Sequence, residues 1–132
     1  MLIYYQFSEA CLMKKTKSTD LDSALDILKK WECAHNKINL ILNLNENSLQ
    51  DYRKSGIQIT VNPEQQNRIS KVIQMDEDLH MAFSNPKNIY GFMRMINNNV
   101  YFEGRTPLSI IETGSLQDLK DVASRIHALV IR

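Results

Sequence analysis

The chain has 132 residues, the length of one domain. With 43% apolar residues, 23% charged residues and a mean hydropathy of −0.34, disorder by composition is excluded. The longest apolar runs fall well short of the roughly 20 residues that a membrane-spanning helix needs. Sixteen basic and fifteen acidic residues give a net charge of +1, spread evenly along the chain, so nucleic-acid binding would have to rest on local placement of charge.

Cys11 and Cys33 form neither a disulfide framework nor a zinc spacing. His35, His80 and His127 are scattered, with no pair at metal-ligand spacing. No metal or cofactor is expected, and the sparse cysteine points to a reducing, cytoplasmic setting. The first residues lack the basic flank and small-residue cleavage site of a secretory signal. Met13-Lys14-Lys15 reads equally as a natural second start, which would place residues 1–12 outside the main fold.

Ser18-Thr19-Asp20 offers capping oxygens ahead of Leu21, Ala24, Leu25, Leu28 and Trp31, a helical stripe that predicts a helix over residues 20–33. A short helix over 36–42 places Ile38, Ile41 and Leu42 on one side, and another closes at Gly56, a left-handed stop. Residues 57–61 alternate apolar and polar, but no second alternating run exists to pair with them, so they read as a linker packed on helices. Asn62-Pro63 starts a helix running to about Phe83, with Ile69, Val72, Ile73, Leu79, Ala82 and Phe83 inward. Asp76, Glu77 and Asp78 are expected on its solvated face.

Asn85-Pro86 repeats the start signal for a helix carrying Ile89, Tyr90, Phe92, Met93 and Ile96. Gly104-Arg105-Thr106-Pro107 opens a short helix that Gly114 stops. Ser115 and Asp118 have capping-box spacing ahead of a last helix carrying Leu119, Val122, Ala123, Ile126, Leu129 and Val130 to the chain end. The expected fold class is all-α.

No phosphate-binding glycine loop, nucleophile elbow, HExxH or CxxC is present, so nothing in the sequence signals an enzyme. Residues 38–56 have the layout of a helix-turn-helix: Asn43 for the left-handed position, Leu44 as a core plug, Asn45 as the cap of the second helix, and Leu49 and Tyr52 inward. Asn45, Asn47, Ser48, Gln50, Arg53 and Lys54 are the candidate DNA-binding residues, because amides pair with adenine edges while Arg53 and Lys54 meet phosphate or guanine. The competing reading is a plain helical hairpin whose polar face, Glu46 included, meets only water.

Downstream, only Arg105 is unexplained by backbone needs. It is either a structural ion pair or carbonyl clamp, or a contact with a partner. Val130, Ile131 and Arg132 continue the apolar face and then add a cation, which fits either insertion into a partner or the completion of a core or dimer seam.

Phe92, Asn97, Asn98 and Asn99, then Gly104-Arg105-Thr106-Pro107-Leu108, then Glu112-Thr113-Gly114 and an amphipathic last helix, resemble the toxin-binding domain of Xre/MbcA/ParS-like antitoxins. The family usually carries an aromatic, often tryptophan, where Phe92 stands, and glycines where Asn43 and Glu103 stand. The resemblance implies an extension over residues 1–19, an Xre-like helix-turn-helix region over 20–61 and a small helical toxin-binding domain over 62–132 packed on it. It further implies an antitoxin of a type II toxin-antitoxin system that forms a homodimer, blocks a RES-domain NAD-degrading toxin through Arg105, Thr106, Val130, Ile131 and Arg132, and represses its operon by binding operator DNA. The alternative is a helix-turn-helix transcription regulator, or a dimerisation module, with no toxin partner.

Overall fold

The computed structural model describes residues 18–131. The proposed extension over residues 1–12 and Arg132 lie outside the described residues. Among those described, the fold is all-helical: α1 (Ser18–Lys30), α2 (His35–Leu42), α3 (Glu46–Ser55), α4 (Pro63–Ala82), α5 (Pro86–Gly91), a 3-10 turn (Phe92–Arg94), α6 (Pro107–Ile111) and α7 (Leu116–His127).

The long helix α4 is the axis of the molecule, with α1 and α7 packed along it. Its buried row Ile69, Val72, Met75 and Leu79 meets Leu21, Ala24, Leu28 and Trp31 from α1 and Leu119, Val122 and Ile126 from α7 in one continuous core. Helix α4 starts where Asn62 and Gln65 satisfy each other: the Gln65 N–H donates to Asn62 Oδ1 at 2.8 Å, and the Asn62 N–H to Gln65 Oε1 at 2.9 Å. This is a full capping box with proline in the first turn. Val61 is buried and Ile59 half-buried, so the end of the linker packs on the helices, whereas Ile57 at its start stands 57% exposed.

Four boundaries or faces differ from the sequence expectation. Helix α1 begins at Ser18 and ends at Lys30 rather than Cys33, because Glu32 turns into the left-handed region (φ 61°). The segment after Asn85 tightens into a 3-10 turn that ends at Arg94, which leaves Ile96 outside any helix and 70% exposed. Helix α7 stops at His127 and the chain continues in tight turns, with Leu129 37% and Ile131 56% exposed, so the apolar face of the last helix does not run to the chain end.

The fourth concerns the acidic run. Glu77 is exposed, but Asp78 is buried and accepts a 3.0 Å hydrogen bond from His127 Nδ1. Three successive helical residues sweep about 200° of arc. A helix covered on two sides therefore turns one of them inward, and Asp78 is the one that finds a partner there.

Candidate functional site

Two surfaces carry the residues that the sequence singled out. The first is the α2–α3 unit. Asn43 sits in the left-handed region at φ 55°, ψ 46°, and closes α2 with its backbone N–H on the carbonyls of Asn39 and Leu40. Leu44 is buried, and Asn45 caps α3 by accepting from the Ser48 N–H at 3.1 Å. Leu49 is buried and Tyr52 half-buried, so α3 lies on the core by one face. Asn45, Asn47, Ser48, Gln50, Arg53 and Lys54 are all exposed on the remaining surface. Asn45 spends its side-chain oxygen on the cap, while Arg53 Nη1 lies 2.8 Å from His35 Nδ1.

The turn is braced from outside. Asn43 Nδ2 donates to Glu64 Oε1 at 2.9 Å, and Gln65 Nε2 donates to the Asn43 carbonyl at 2.7 Å. The Asn43 amide, and next to it the Arg68 guanidinium, hold the Glu64 carboxyl below its ordinary value. Arg68 itself is buried: Nη1 donates to the carbonyls of Ile41 at 3.1 Å and Gly114 at 2.9 Å, and Nη2 to Glu64 Oε2 at 3.1 Å. The first turns of α4 thus hold both the end of α2 and the turn that leads into α7.

A groove of about 630 Å³ runs between α1 and the α2–α3 unit, with Asp22, Leu25, Lys29, His35, Tyr52 and Arg53 on its walls. Tyr52 Oη donates to Asp22 across it. Arg53 stands at the border between this groove and the outer face of α3. Near the groove floor, burial first and then the Glu112 carboxylate push the Cys33 thiol up to about 12.

The second surface is the loop between the 3-10 turn and α6, together with the end of α7. The loop closes on itself: Asn97 and Arg105 pair as an isolated antiparallel bridge, and Phe102 is buried beneath. Glu103 adopts φ 51° and Gly104 φ 82°. Arg105 is the carbonyl clamp that its sequence context allowed, with Nε on the Phe102 carbonyl at 2.8 Å and Nη2 on the Tyr101 carbonyl at 2.7 Å. Its residue is nonetheless exposed. Thr106 caps α6 by accepting from the Ser109 N–H at 3.2 Å. Val130 is half-buried and Ile131 exposed, and Met95, Ile96 and Val100 expose further apolar surface on the loop. Arg125 stacks over the Tyr101 ring at 4.8 Å, which joins loop and helix.

Sequence reasoning missed Arg68, Asp78 and the Gln65 brace. Arg68 could have been found, since it lies four residues before Val72 and seven before Met75, squarely on the apolar stripe. Among the described residues there is no group of three or more histidine, cysteine or acidic side chains that could hold a metal ion, and no helix is long and apolar enough to cross a membrane. Compared with protein-family models, curated proteins and solved structures, the chain matches none of them.

Proposed function

We propose that this protein is an antitoxin-type binding protein, which uses α3 to contact operator duplex DNA and the loop and tail around Arg105 and Ile131 to block a toxin of the RES type. The observation that carries the reading is the α2–α3 unit. A left-handed Asn43, a buried Leu44 and an Asn45-capped helix leave Asn47, Ser48, Gln50, Arg53 and Lys54 uncovered on one short helix. That set combines amides for base edges with two cations for phosphates.

The likeness to the Xre/MbcA/ParS-like antitoxins gains support from backbone geometry. At the two positions where that family carries glycine, this chain has Asn43 at φ 55° and Glu103 at φ 51°. Both non-glycine residues hold the conformation that glycine takes at least cost.

A regulator without a toxin partner is the second reading. The observation in its favour is that Arg105 and Thr106 already serve the loop and the α6 cap, so neither needs a partner to explain its presence.

Two assays test the proposal. In a mobility-shift titration against its own upstream DNA, Arg53→Ala should weaken binding for all sequences and flatten the salt dependence by about one unit, and Gln50→Ala should relax base preference. Absence of any shift by the wild-type protein refutes the DNA contact. Co-expression with the neighbouring gene should rescue growth and co-purify both products, and truncation after Leu129 should abolish rescue while the helical circular dichroism persists. Rescue that survives truncation refutes the role of the tail.

A further inference from the structure

Helices α4 and α7 run in parallel along their contact, and their facing rows have a register that the DNA and toxin reading does not use. On α4 the row is Lys71, Gln74 and Asp78; on α7 it is Lys120, Ser124 and His127, with spacings of three and four residues that keep each row on one face. At one end the rows are joined by Asp78 and His127. Beside this contact lies a cavity of about 170 Å³ lined by Lys71, Gln74, Lys120, Ala123, Ser124 and His127.

Lys71, Gln74, Lys120 and Ser124 can each donate a hydrogen bond into it, and none of the lining residues is a carboxylate. Neither lysine is joined to an acid, since the ion pairs among the described residues involve other cations. With Nδ1–H donating to Asp78, Nε2 of the neutral His127 ring is an acceptor, suited to the hydroxyl of a protonated phosphate. Ala123 supplies a small apolar floor between the longer side chains. The nearby acid on these rows, Asp78, is paired with His127 and with neither lysine; two cations that share one concavity repel each other, and an anion seated between them reverses the sign of that interaction.

We propose that this cavity binds a phosphate-type oxyanion, held by Lys71 and Lys120 and oriented by the neutral donors Gln74 and Ser124 together with the Asp78-fixed ring of His127. Its size suits a free ion or the terminal phosphate of a small molecule. The inference does not depend on what α3 or the tail binds.

The test is an NMR titration of the intact chain with sodium phosphate, with sodium chloride at matched ionic strength as the control. Phosphate should produce saturable amide shifts at Gln74, Lys120 and Ser124 and move the His127 ring signals, while chloride should not. The double variant Lys71→Gln/Lys120→Gln should weaken phosphate binding by about tenfold or more, the loss of one or more charge-assisted hydrogen bonds. Should that variant lose its helical signal, Lys71→Arg/Lys120→Arg keeps the charge and should bind phosphate. Equal responses to phosphate and chloride, unchanged affinity in the double glutamine variant, or no binding by a folded arginine variant each overturn the proposal. A parallel arm with adenosine monophosphate identifies the carrier: tighter binding than phosphate assigns an esterified phosphate, and equal or weaker binding assigns the free ion.

Discussion

Replacing Arg68 with methionine removes one guanidinium from the centre of the molecule and leaves a side chain of similar reach. The native residue makes two well-formed bonds to the carbonyls of Ile41 and Gly114, a longer one to Leu40 at 3.4 Å, and an ion pair with the part-exposed Glu64 at 3.1 Å, whose exposure keeps its own contribution small. A hydrogen bond to a charged group contributes about 1.5–3 kcal/mol, so the two good bonds represent roughly 3–6 kcal/mol. Against this, Arg68 Nε is buried with no partner, and its removal returns about 1–2 kcal/mol. The expected net loss is about 2–4 kcal/mol, or a fall in Tm of roughly 8–15 °C for a chain of this size. Urea and thermal denaturation followed by far-ultraviolet circular dichroism measure it directly. Hydrogen exchange should quicken first where α2 ends, because those carbonyls lose their cap. A loss below about 1 kcal/mol, with exchange at α2 unchanged, would refute the bracing role assigned to Arg68.

Two further outcomes follow from backbone and burial. Glu103→Gly relieves a left-handed side-chain penalty of about 1–2 kcal/mol and adds about 0.5–1 kcal/mol of unfolded-state entropy, so it should stabilise the protein by about 0.5–1 kcal/mol in chemical denaturation; a destabilised variant would count against the strain. The Cys33 thiol, raised to about 12, titrates later in the folded state than in the unfolded chain, where the usual value is about 8.5. Folding stability is therefore intact below that unfolded value and declines as pH climbs from it toward 12. Cys33→Ala should flatten the decline, and alkylation at Cys33 in the folded protein near neutral pH, separated from Cys11 by peptide mapping, should be slow; rapid labelling of Cys33 without unfolding would contradict its burial.

Much of the helical layout is legible because its punctuation is local. Asn43, Asn45, Gly56, Asn62, Asn85, Thr106 and Ser115 each act on backbone groups within a few residues, and the structure finds them at helix ends. What the sequence hid depends on contacts far apart along the chain. Asp78 reads as one more surface acid until α7 brings His127 to it, and Arg68 reads as an exposed cation until α2 and Gly114 surround it. The stop of α7 at His127 was illegible for another reason. Leu129 and Val130 continue a helical stripe in the sequence, yet Leu129 remains over a third exposed, so little apolar burial rewards continuing the helix past His127. Of the residues predicted to touch partners, those on α3 are gathered on one helix, whereas Arg105, Thr106 and Ile131 belong to separate local structures.

The way α1 lies along α4 has a practical consequence for dissection. Leu21, Ala24, Leu28 and Trp31 reach their dry surroundings only because residues from beyond position 62 supply the opposite wall. Scission in the linker would hand each fragment a greasy stripe with nothing to lie against, and a Trp31 indole newly open to water. Halves expressed singly should then clump or melt, whereas mixing them should restore a shared interior. Splitting the polypeptide there, and watching whether the pieces find one another, measures how strongly the two ends of this molecule are one physical object.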